Sequence, residues 1–94
     1  MTQSLRLDVP VLPNGFRLHW DKVRERYVIL YPEGALGLNE TAVHVLQLCD
    51  GKRTIEDIAN ELSARFGGAD VHDDVENLLL SLANIGMITD AGNN

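Results

Sequence analysis

The sequence predicts a small α+β domain. Three observations predict it: the 94 residues allow one hydrophobic core, apolar side chains repeat with period two through the first half, and the period lengthens to 3.6 in the second. Strands first and helices after is the order of an antiparallel sheet with helices gathered on one face. Residues 1–14 read as an N-terminal arm, 15–89 as the domain and 90–94 as a fraying C-terminal tail.

The arm carries Pro10 and Pro13 and ends in Asn14-Gly15, so it lacks a sustained period. Leu5, Leu7, Val9, Val11 and Leu12 make it too apolar for a free tail. It is expected to dock on its own domain, or on a second copy to make a homodimer.

Phe16, Leu18 and Trp20 alternate with Arg17 and His19, the pattern of a half-buried strand. Asp21 to Arg26 reads as a turn. Tyr27 to Tyr31 is apolar on both faces, β-branched and aromatic, which suits a middle strand. Pro32-Glu33-Gly34 breaks the chain, and Ala35-Leu36-Gly37-Leu38 is a short third strand.

Asn39 can cap a helix from Glu40 to about Cys49, with Ala42, Val45, Leu46 and Cys49 inward and His44 solvated on the outer face. Asp50-Gly51 ends it. Thr54 with Asp57 three residues on is a variant capping box, opening a helix whose stripe is Ile55, Ile58, Ala59, Leu62 and Phe66. Gly67-Gly68 stops that helix. A third helix starts near Asp70 as its cap and buries Val71, Val75, Leu78, Leu79, Leu82 and Ile85, with Gly86 closing it in the left-handed conformation. The whole is winged-helix-like: a three-stranded antiparallel sheet followed by three helices.

Charge narrows the function. The chain carries a net −6, of which residues 1–39 contribute +1 and residues 40–94 contribute −7. A winged-helix order invites a nucleic-acid-binding regulator. Yet no Lys or Arg occurs from Phe66 to Asn94, while Asp70, Asp73, Asp74 and Glu76 crowd the start of the third helix, which a phosphate backbone would repel. Nucleic acid is not an expected partner.

Other chemistry finds no foothold. His19, His44, His72 and Cys49 lack metal-ligand spacing, and Asp70, Asp73 and Asp74 lack a calcium-loop pattern. Ser4, Ser63 and Ser81 lie outside any nucleophile turn, and Gly67-Gly68 follows a helix, the wrong side for a phosphate cradle. Cys49 is the only cysteine, so no intrachain disulfide forms. No stretch is long and apolar enough to span a bilayer and no signal peptide is evident, so the reading is a cytoplasmic, non-enzymatic domain without metal or cofactor.

Recognition of a peptide or protein remains. The third strand has no charge and no proline to guard its outer edge, and Ala35 and Gly37 are small enough to let another strand approach closely. Its defect is expected from Leu38→Pro, taken as removing an edge N–H. On the third helix Leu80 lies opposite the buried stripe, where it can wall an apolar groove with Ala83 leaving room and Glu76 at the rim.

The runs Arg17-Leu18-His19-Trp20-Asp21, Val28-Ile29-Leu30-Tyr31-Pro32-Glu33-Gly34, Leu38-Asn39-Glu40-Thr41-Ala42, Cys49-Asp50-Gly51-Lys52-Arg53-Thr54-Ile55 and Gly86-Met87-Ile88 resemble the pyrroloquinoline quinone (PQQ) biosynthesis protein D family, PqqD. The resemblance covers about residues 10–89. It implies a recognition element for ribosomally synthesized and post-translationally modified peptides (RiPPs), a chaperone that binds the precursor peptide PqqA and presents it to the radical SAM enzyme PqqE. It further implies that the peptide adds as a strand beside the third strand and packs on the third helix. Carried over by position, the peptide-binding residues are Leu36, Gly37, Leu38, Glu76, Leu80 and Ala83. The alternatives are a recognition element of another peptide-modifying pathway and the nucleic-acid regulator weighed above. Micromolar affinity is expected, about 8 kcal/mol. The acids Asp73, Asp74 and Glu76 would favour basic residues in the peptide and a loss of affinity at high salt.

Overall fold

The computed structural model describes residues 7–91. Leu5 of the expected arm and the last three residues of the expected tail lie outside them. The elements follow the order β1 (Pro10–Val11), β2 (Arg17–Asp21), β3 (Arg26–Tyr31), β4 (Gly34–Gly37), α1 (Glu40–Gln47), α2 (Ile55–Arg65), α3 (His72–Asn84) and β5 (Thr89–Asp90). Strands β2, β3 and β4 form an antiparallel sheet in that spatial order, with β3 central. The predicted sheet and three helices are therefore all present.

Register follows from the turns. A two-residue loop, Pro32-Glu33, joins Tyr31 to its partner Gly34, and pairing runs back through Leu30 with Ala35, Ile29 with Leu36 and Val28 with Gly37. Between β2 and β3 a four-residue turn is organised by Asp21, whose Oδ1 accepts the Val23 and Arg24 amides at 3.0 and 3.2 Å. The amide and guanidinium of Arg24, with the Val23 amide, hold the Asp21 carboxyl below its ordinary pKa.

One face of the sheet meets the helices. Phe16 stacks on Tyr31 at 5.7 Å between ring centres, and Trp20 meets its cross-strand partner Tyr27 edge-on at 5.0 Å. Between these pairs Ile29 is fully buried with Val45, Ile58, Leu62 and Leu79 in one apolar cluster drawn from the sheet and all three helices. The helices begin much as their sequences dictate. The Asn39 side chain accepts the Ala42 amide at 2.8 Å, and Thr54 and Asp57 form both bonds of the capping box.

Several expectations need correction. Asp70 is not the cap of α3: Val71 holds that position without a side-chain bond, and Asp70 instead accepts the His72 amide just outside. Phe66 turns out of the α2 stripe because the helix ends there, leaving it 48% exposed. Ile85 likewise sits at the end of α3 and is 56% exposed. His44 is half-buried rather than solvated, with its ring edge-on to Phe66 and its Nδ1 buried without a partner among the described residues.

At the termini the correction falls on Asp90, while the arm takes one of its two expected places. Pro10 pairs with Asp90 and Val11 with Thr89, so the arm docks on its own domain, and Asp90 does not fray. The Asp90 carboxylate is buried, and its Oδ1 accepts the Asp8 and Val9 amides at 2.9 and 2.7 Å. The Ala91 amide donates to the Val9 carbonyl at 2.8 Å, and Val11 also bridges to Asp50. A carboxylate with its acceptor oxygen on two amides replaces the ladder that two-residue strands are too short to supply.

Candidate functional site

Strand β4 forms one margin of the sheet, and antiparallel pairing decides which of its groups are free. The Leu38 amide donates to the Tyr27 carbonyl at 3.0 Å, so hydrogen-bonded pairs recur every second residue at Leu38, Leu36 and Gly34. The N–H and C=O groups of Ala35 and Gly37 consequently point outward. Among the described residues nothing pairs with them. The margin carries no charged side chain, whereas the opposite margin, β2, carries Arg17, His19 and Asp21.

This register divides the site residues named from sequence. Leu36 and Leu38 share a face, and that face is inward: Leu38 is 8% exposed in the core and Leu36 packs against it. Leu38 therefore anchors the strand from within, and its amide is unavailable to a guest. Gly37 is exposed and offers its backbone outward. Ala35, left out of the residues carried over by position, offers the other outward pair.

The α3 residues sit as separate features. Glu76 is exposed, Leu80 is half-exposed and outside the apolar cluster, and Ala83 packs against that cluster. The buried stripe of α3 is Val75, Leu79 and Leu82, so Leu80 is free of a structural task in the core. Leu36 and Ala83 touch the same cluster, which links β4 and α3 through the interior.

The outer sheet face holds one feature that sequence reasoning missed. Asp21, Arg24, Arg26, Val28, Ala35 and Gly37 line a shallow depression of about 300 Å³ beside the free margin. A Cβ built on Gly37 would overlap the Arg26 guanidinium, so the arginine lies across that glycine. The relation follows from the register and not from the sequence alone: with Tyr31 facing Gly34, residue 37 is the diagonal neighbour of residue 26 on one face.

No cluster of potential metal ligands occurs among the described residues, and none of their helices is long and apolar enough to cross a membrane. Cys49 is buried and its thiol donates to the Val45 carbonyl at 3.3 Å. Burial, with the neighbouring Asp50 charge, pushes its pKa up to about 12, so it stays protonated and unreactive near neutrality. Iodoacetamide should label Cys49 only at the rate at which the domain opens; rapid labelling under native conditions would contradict its place in the core.

A model of the family described as Coenzyme PQQ synthesis protein D (PqqD) matches residues 26–88, a span that includes β3, β4 and all three helices. The chain belongs to the PqqD family. Among curated relatives, the PqqA binding protein of Methylococcus capsulatus is 42% identical over 72 residues, covering 77% of each chain. The PqqA binding protein of Rhodopseudomonas palustris strain TIE-1 is 44% identical over 84 residues, covering 87% of this chain and 82% of that one.

Two solved PqqD structures share the fold. The solution structure of the PqqD portion of Methylobacterium extorquens PqqCD, described as a functional, stand-alone RiPP recognition element, is 36% identical with a TM-score of 0.72. It covers 85% of this chain and 87% of that one. The crystal structure of PqqD from Xanthomonas campestris is 34% identical with a TM-score of 0.52, covering 88% and 93% respectively.

Proposed function

We propose that this PqqD-family chain is a peptide chaperone that binds PqqA as an added strand along β4 and presents it to the radical SAM enzyme PqqE. The observation that carries the reading is the free margin of β4, where Ala35 and Gly37 each hold an outward donor and acceptor without a charge or proline to deter pairing. The family membership favours PQQ synthesis over another peptide-modifying pathway, and the names of the relatives supply the peptide.

Recognition divides into two parts. Main-chain pairing at Ala35 and Gly37 accepts any extended segment and so gives affinity without much choice. Choice comes from side chains of the guest. An apolar residue on the guest finds Leu80 on α3, with Ala83 leaving space and Glu76 placing a negative charge at the rim. Asp73 and Asp74 in the first turn of α3 add to that charge, so a basic residue on the corresponding part of the guest is favoured at low salt.

Presentation to an enzyme requires release, which a Kd of about 1 µM allows. The binding-site side of α3 is tested by Leu80→Glu, which removes no core contact and places a second acid near Glu76. The variant should melt within a few degrees of the parent and bind a synthetic PqqA peptide about tenfold more weakly by fluorescence anisotropy. Unchanged affinity in the folded variant would move the groove away from this face of α3.

A further inference from the structure

We propose that Arg26 selects the guest: its guanidinium, laid across Gly37 at the free margin of β4, pairs with the carboxylate of an Asp or Glu on the added strand at the position facing Gly37. The inference rests on strand addition at β4 and adds the chemical class of one guest residue.

Three observations carry it. The Arg26 guanidinium has no hydrogen bond or carboxylate partner among the described residues, a state it shares with Arg17, whereas Arg24, Arg53 and Arg65 are all paired with carboxylates. The carboxylate of its cross-strand partner, Asp21, is already engaged by the amides of Val23 and Arg24 and by the Arg24 guanidinium at 3.3 Å. The depression these residues line thus carries Asp21 against Arg24 and Arg26, leaving one positive charge uncompensated.

Position supplies the third. A residue paired with Gly37 on an added strand directs its side chain to the same face as Gly37, the face that Arg26 crosses. Glycine is required there for the guanidinium to lie at the edge, since a methyl group would occupy its place. The planar fork of arginine suits a carboxylate held alongside it, and the guest backbone covers the pair from one side. The neighbouring guest residues project to the opposite face. The preferred guest therefore carries an acid at the Gly37 position, with its apolar and basic residues at positions of the other parity.

The test uses synthetic PqqA peptides in which one Asp or Glu at a time is replaced by Asn or Gln, each titrated against the parent domain and against Arg26→Gln. One replacement should weaken binding to the parent about three- to tenfold and make no difference to Arg26→Gln. Gly37→Ala provides an independent arm. Its methyl displaces only the far end of a flexible side chain, so folding should be preserved while the same peptide pair loses its difference. Equal losses on parent and Arg26→Gln for every peptide, or no loss for any, would overturn the role of Arg26. Should Ala35→Pro abolish binding while Arg26→Gln binds like the parent, strand addition stands and this inference alone fails; if Ala35→Pro binds normally, the underlying reading fails.

Discussion

Ala35→Pro is expected to weaken PqqA binding by about tenfold or more while the domain stays folded. Proline removes the Ala35 N–H, which points outward, and its ring occupies the space of the approaching guest strand. The bonds to β3 come from Gly34, Leu36 and Leu38, so the sheet itself loses none. Ala35→Val keeps the N–H and serves as the control, retaining most of the affinity. Isothermal titration with a PqqA peptide, beside circular dichroism of each variant, checks both statements. Leu38→Pro is not an equivalent test, because it deletes the 3.0 Å bond to Tyr27 and a buried side chain together.

Asp90→Ala is expected to cost about 2–4 kcal/mol of stability, measured by urea denaturation. The substitution strips the acceptor from the Asp8 and Val9 amides and loosens the β1 and β5 pairing that ties the two ends of the domain together. Asp90→Asn keeps one acceptor oxygen and should lose less. Peptide affinity of the folded fraction should be unchanged, since this tie involves no residue of β4. A stability equal to the parent's would mean that the amides find water or another acceptor at no cost.

The element order was legible because the sequence changes period once, from Phe16-Leu18-Trp20 to Val75-Leu79-Leu82, and because Asn39 and Thr54 are strong local start signals. The terminal tie was not legible. Asp90 gives no local sign that its carboxylate reaches residues more than eighty positions away. Phe66 and Ile85 satisfied a helical stripe on paper, but each is the cap residue where its helix stops and is left exposed; after Ile85 it is Met87 and Ile88 that enter the core.

The margin of β4 was legible in part. The absence of charge and proline in Ala35-Leu36-Gly37-Leu38 marked an unguarded edge, and the small Ala35 and Gly37 marked where another strand could approach. Alternation of side chains does not say which amides point outward. That depends on hydrogen-bond phase, fixed by the Pro32-Glu33 turn, and the phase gives the edge to Ala35 and Gly37 while engaging Leu38. Arg26 was missed for the same reason, since its diagonal relation to Gly37 exists only once the register is known.

The most direct test is an NMR titration of the isotope-labelled domain with unlabelled PqqA peptide, followed by amide hydrogen exchange in the complex. Strand addition at β4 predicts that the Ala35 and Gly37 amides shift strongly and become protected from exchange, while the Leu38 amide is protected with or without peptide. Protection appearing instead along β2, with Ala35 and Gly37 still exchanging freely in the saturated complex, would contradict it.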